Sequence, residues 1–168
     1  MDPVLQRVRA DIAGYGWHVG KIPGDERAPS WAFTIGLHES FGHAELVTFG
    51  LDLETAHRLL NQIGLFVKRG QAFADGERAP GILETHTVAF RRVAPRWLSP
   101  FLGNVAWYYG SEDTPVLQCF WPDASGRHPW EEGFDPSLGD LQPLLYETAV
   151  ETALSPALAQ VLREEDAL

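Results

Sequence analysis

The sequence has only one cysteine, Cys119, so no intrachain disulfide can form, and a reducing cytoplasm is the expected home. It has no long apolar run. No segment reaches the roughly 20 residues a spanning helix needs, and the opening MDPVLQRVRAD reads as a charged helix with no leader core. Basic residues are scarce: 13 Lys and Arg stand against 23 Asp and Glu, a net charge of −10. A nucleic-acid track needs clustered cations, and the densest spots here are Lys68-Arg69, Arg91-Arg92 and Arg96, so that partner class is excluded, as is a membrane. Acidic runs such as Glu164-Glu165-Asp166 read as solvated surface. A Gly-x-Ser-x-Gly elbow and a glycine-rich phosphate loop are both missing. Nothing points to a nucleotide cofactor, although a partial barrel can hold a flavin without such a motif.

Apolar periodicity, by contrast, is plentiful. The 168 residues fit one domain spanning 1–168, long enough to bury roughly 70% of the surface the unfolded chain exposes. Val4, Leu5, Val8 and Ile12 predict an N-terminal helix over 3–13 that Gly14 and Gly16 stop. Strands are predicted at 17–22, 30–37 and 45–51. In the second, Trp31, Phe33, Ile35 and Leu37 form a core face, while Ala32, Thr34 and Gly36 leave room for a packed helix. Asp52 is an N-cap, and Leu53, Ala56, Leu60, Ile63 and Val67 give a helix over 53–69 ended by Gly70. One long bent strand over 82–93, a helix over 97–109, a strand over 114–121 and a helical tail over 144–168, interrupted at Ser155-Pro156, complete the pattern. Their order predicts an α+β fold whose largely antiparallel sheet, flanked by helices, is open or curled into a partial barrel.

Residues 119–134, CFWPDASGRHPWEEGF, pose the main question. Two prolines and two glycines break the stretch, yet it carries Phe120, Trp121, Trp130 and Phe134. A solvated loop gains nothing from such rings. Either the loop is a packed plug or its aromatics line a pocket for a small molecule or short peptide. Trp31, Trp107, Gln118, Trp121 and Trp130 are the candidate ligand-binding residues. The alternative is an enzyme with His43, Glu45 and Asp123 as acid–base groups. His43 and Glu45 share parity with Val47 and Phe49, which predicts that they bond each other or nearby backbone beside a cleft. A metal site on His38, His43 and Glu45 is a weaker candidate, because no familiar ligand spacing appears. Trp121-Pro122-Asp123 is also found in the acid loop of tyrosine phosphatases, but those enzymes need an arginine at the offset from the thiolate where Cys119 has Ser125. Flanked by Gln118 and Phe120, Cys119 reads as an inert core thiol.

FTIGL (33–37), GHAEL (42–46), FGL (49–51), LLNQIG in the long helix, VLQCFWPD (116–123) and GRHPWEEGFD (126–135) together resemble the domain-of-unknown-function (DUF) 4262 family over roughly residues 14–145. The resemblance implies a bacterial origin and carries no activity. This chain departs from the family pattern at Ala44, where a proline is favoured, and at His128, where an aromatic is.

Overall fold

The computed structural model describes residues 2–83 and 86–168. These residues form six strands in one sheet and six α-helices around it. Helix α1 (Pro3–Tyr15) starts at the Asp2 cap and stops at Gly16, whose left-handed backbone (φ 109°) only glycine adopts readily. Strands β1 (His18–Ile22), β2 (Trp31–Ile35) and β3 (Glu45–Phe49) follow, with a short helix α2 (Leu37–Phe41) between the last two. After α3 (Leu53–Lys68) come β4 (Arg78–Leu83), β5 (His86–Arg92), α4 (Leu98–Tyr109) and β6 (Val116–Phe120). Helices α5 (Val150–Ala153) and α6 (Pro156–Glu164) close the chain.

The spatial order β1-β2-β3-β6-β5-β4 is two three-stranded antiparallel meanders laid side by side. They join through the sheet's single parallel pair, β3 with β6. Strands β1 and β4 are free edges among the described residues, so the sheet is open and the partial-barrel outcome is set aside.

Both sheet faces are buried, each against its own helices. On one face, Phe33, Ile35, Val47, Phe49 and Val116 pack with Val8 of α1, with Phe101, Leu102 and Val105 of α4, and with Leu158 and Leu162 of α6. On the other, Ala32, Leu46, Leu117, Cys119 and Phe90 meet Ala56, Leu60, Ile63 and Val67 of α3. The small side chain of Ala32 therefore does admit a helix. Gly20 shows the same economy of space: a Cβ there would lie 2.3 Å from the Phe33 ring, which crosses β1 at that point.

Three expectations need correcting. The single strand predicted over 82–93 is two strands, β4 and β5, paired with Leu83 opposite His86; residues 84 and 85 lie outside the described residues. Pro80 and Gly81 fall inside β4, which proline tolerates because it is an edge strand and irregular there. Leu37, read as the end of the second strand, and residues 38–41, between predicted strands, form α2. The tail is helical only from Val150 onward, with Ser155 capping α6 through the Leu158 N–H and Pro156 in its first turn.

Candidate functional site

Glu45 opens β3 and is completely buried. The β2–β3 ladder runs only from Trp31/Phe49 to Phe33/Val47. Beyond it, Thr34 takes over the backbone role: its hydroxyl accepts the Leu46 N–H (2.9 Å) and donates to Glu45 Oε1 (2.8 Å). The carboxylate also accepts the N–H groups of Gly36 (2.9 Å), Leu37 (3.2 Å) and His38 (3.1 Å), which are the orphan donors at the start of α2. The Tyr109 hydroxyl donates to Oε2 and in turn accepts the Gly36 and Glu39 N–H groups. Burial pushes the Glu45 pKa up, and the bonds from Tyr109, Gly36, His38 and Thr34 oppose the rise. Burial and the neighbouring carboxylate push Tyr109 up as well, so it stays a donor. This is a satisfied buried network, with Glu45 acting as a cap for α2.

His43 does not join Glu45. Its Nδ1–H donates to its neighbour's Ala44 carbonyl (2.8 Å), and Nε2 accepts the Phe73 N–H (3.0 Å), which fixes the tautomer. His43 lies outside β3, after the left-handed turn at Gly42 (φ 66°), so the two-residue alternation does not extend to it. The ring turns to Phe73, on the α3 side of the sheet. His38 sets its imidazole against the Tyr109 ring. Among the described residues no three His, Cys, Asp or Glu side chains form a group that could hold a metal.

Asp123 is a staple for the aromatic loop. Its Oδ1 accepts the Ser125 and Arg127 N–H groups and its Oδ2 accepts that of Asp135, each at 2.9 Å. The Arg127, Asp135 and Ser125 amides hold its pKa below the ordinary aspartate value. Gln118 serves the next segment, donating to the Pro143 carbonyl (2.7 Å) and accepting the Leu145 N–H (3.2 Å). The indole N–H of Trp121 donates to Phe49 O (2.7 Å), and that of Trp31 to Phe101 O (3.0 Å). Trp130 is half-buried, edge-on to Phe120 (5.0 Å) and stacked on His128 (5.4 Å). The Arg91 guanidinium lies 3.7 Å from the centre of the adjacent Tyr146 ring. The loop is thus packed down by its own aromatics.

The five predicted ligand-binding residues do not share one cleft. Trp107 is exposed on α4, in the turn that carries Tyr109 to the start of β3. Trp121 bonds to the opposite end of that strand. It joins Leu51, Thr55, Pro122 and Leu138 around an open, mostly apolar hollow of about 490 Å³.

A second cavity, of about 480 Å³, lies between α1, β1 and α3, and the sequence reading missed it. Asp11 and Tyr15 line it from α1, and Trp17 and Val19 from the approach to and body of β1. His57, Asn61, Leu65 and Lys68 complete it from α3. Their spacing is i, i+4, i+8 and i+11, a single stripe beside the buried face of the helix. That stripe was visible in the sequence. Polar side chains beside an apolar helix face ordinarily meet solvent, and nothing local shows that α1 folds alongside. Burial, with Lys21 and His18 nearby, lowers the His57 pKa.

A family model described as a domain of unknown function, DUF4262, matches residues 11–135. That span holds both cavities' lining except Leu138, the Glu45 network and the aromatic loop. No curated protein and no solved structure matches the chain.

Proposed function

Because the chain belongs to the DUF4262 family, whose description assigns no activity, its function has to be argued from its own cavities, and we propose that it is a binding domain for a small organic molecule. The site is the α1–β1–α3 cavity. One observation carries this reading: apolar surface from Trp17, Val19 and Leu65 meets hydrogen-bonding groups from His57, Asn61 and Lys68 in a single concave space. A net charge of −10 favours a small ligand over a nucleic acid. The test is a screen of small aromatic fragments against ¹⁵N-labelled protein, following the tryptophan indole N–H signals. The expected outcome is that binders move the Trp17 signal. A screen in which no fragment moves it overturns the assignment.

The hollow beside the 119–134 loop supports a second reading. Its mostly apolar walls, with Trp121 and Leu51, suit an apolar side chain of a short peptide. In the same screen it would be reported by Trp121.

Catalysis by His43, Glu45 and Asp123 asks these groups for a free lone pair or a transferable proton. Both His43 nitrogens and all the Glu45 and Asp123 carboxylate oxygens are engaged by backbone or side-chain partners. We assign the three residues to holding the scaffold.

A further inference from the structure

Granting the α1–β1–α3 cavity as the binding site, we propose that its occupant is a planar organic anion, an aromatic or conjugated ring bearing a carboxylate or a similar group. The planar part follows from Trp17. Its indole packs closely on α3 at Gly64, where a Cβ would come within 2.7 Å of ring atoms Cε2 and Cζ2. Tyr15 and Leu65 stand exposed at the rim, so apolar surface continues from the floor to the mouth.

The anionic part follows from an excess of donors. An indole N–H can only donate, so the Trp17–Asn61 bond (3.0 Å) assigns the Asn61 oxygen to Trp17 and leaves its NH₂ without a partner among the described residues. The Lys68 ammonium gives one N–H to the Tyr15 carbonyl (3.2 Å) and keeps others free. His57 has no hydrogen-bond partner among the described residues and, as a neutral ring, offers one N–H and one acceptor nitrogen. Lys21 lies close enough to lower its pKa. In the one lining carboxylate, Asp11, His18 takes Oδ2 at 2.7 Å and leaves Oδ1 as a free acceptor. Free donors thus outnumber free acceptors, and Lys68, one of the two lysines of this acidic chain, stands in the lining.

The experiment compares 2-naphthoate, 2-naphthamide and 2-naphthylmethylammonium, three probes of one shape and different charge, at low ionic strength. The indole signal of Trp17, assigned with a Trp17→Phe variant, reports occupancy. Naphthoate is expected to move that signal and to bind about 5- to 10-fold more tightly than naphthamide, within the range of a charge-assisted hydrogen bond to a partly exposed cation. Lys68→Gln should shrink the preference to about twofold or less, and Lys68→Arg should keep it. Unchanged signals from the other tryptophans verify the fold of each variant. Equal binding of naphthoate and naphthamide, or tightest binding of the cation, overturns the anion assignment and leaves the cavity in place. A Trp17 signal that none of the three probes moves overturns the cavity reading, and this proposal with it.

Discussion

A carboxylate that caps a helix from another element cannot be replaced by its amide. In Glu45→Gln, one of the two side-chain positions becomes an NH₂ facing N–H or O–H donors, since Gly36, Leu37, His38, Thr34 and Tyr109 all donate to it. The variant should lose about 2–4 kcal/mol in a denaturant titration. A loss within the error of the curve would mean that the network is not formed. His128 poses the opposite problem. Its Nε2–H donates to the Thr87 carbonyl (2.9 Å), while Nδ1 is buried without a partner and lies 3.9 Å from Glu131 Oε2. Burial lowers its pKa; Arg78 adds to that, while the Thr87 bond, Glu131 and Asp123 oppose it. The folded state therefore prefers the neutral ring. Its contribution is present above the ordinary imidazole value, about 6.5, and is lost as pH falls below it. His128→Phe removes an unsatisfied acceptor and forfeits one bond, so stability at pH 8 should change by no more than about 1 kcal/mol. Between pH 6.5 and 5 the variant should lose less stability than the parent, as thermal melts across that range would show. Neither role could be read in advance. Residue type marked Glu45 and His128 as unusual, but their partners are on other elements: β2, α2 and α4 for Glu45, and β5 for His128.

Elements with their own start and stop signals were legible. Helix α3 carries the Asp52 cap, which bonds the Thr55 N–H at 2.9 Å, and buries Leu60 and Ile63 completely, as its periodicity predicted. Leu60→Ala should cost about 2–5 kcal/mol, measured by chemical denaturation, with the spread set by how far the sheet relaxes into the space. The aromatic loop was legible as an object but not as a role. Its rings demanded burial. What the spacing could not show is that Asp123 would gather amides as far along as Asp135. That carboxylate's pKa is depressed, so the stability it gives the loop is present above the ordinary aspartate value and lost as pH falls through the lowered one. Amide exchange at Ser125, Arg127 and Asp135 should accelerate together in that acid range. In Asp123→Ala it should already be fast at neutral pH. The β4–β5 hairpin and α2 were missed for lack of local signal. Residues between Ile82 and Val88 include no glycine, asparagine or proline to mark a turn, and α2 is five residues long and held from outside by Glu45.

At the scale of the whole molecule, the sheet separates two cores that touch different parts of the sequence. The α3 core is built from residues 17–119, whereas the core on the opposite face depends on Ala153, Leu154, Leu158 and Leu162 of the last two helices. Leu158→Ala should therefore destabilise by about 2–5 kcal/mol while leaving the fragment-induced shift of Trp17 intact, because the candidate cavity lies on the α3 side. The cavity is a whole-molecule property in the same sense. Most of its lining residues fall in elements that the sequence predicted, although Tyr15 lies past the predicted end of α1 and Trp17 just before β1, and their meeting depends on how α1 crosses the β1–α3 unit, which no window of sequence contains.

Each three-stranded meander is contiguous in the chain, and the seam between them is the short parallel ladder of Glu45–Val47 with Val116–Gln118. Closing that seam brings together residues about 70 positions apart, and no turn connects them directly. The polypeptide is thus a pair of complementary halves that happen to share a covalent link at the exposed Lys68–Ala72 stretch. Cut there, neither half could cover its innermost strand: β3 in one and β6 in the other would become a bare edge, open to pairing with any available chain. Expressed together, the two pieces should find each other, co-elute, and regain the tyrosine–carboxylate bond between Tyr109 and Glu45. Expressed alone, each should aggregate.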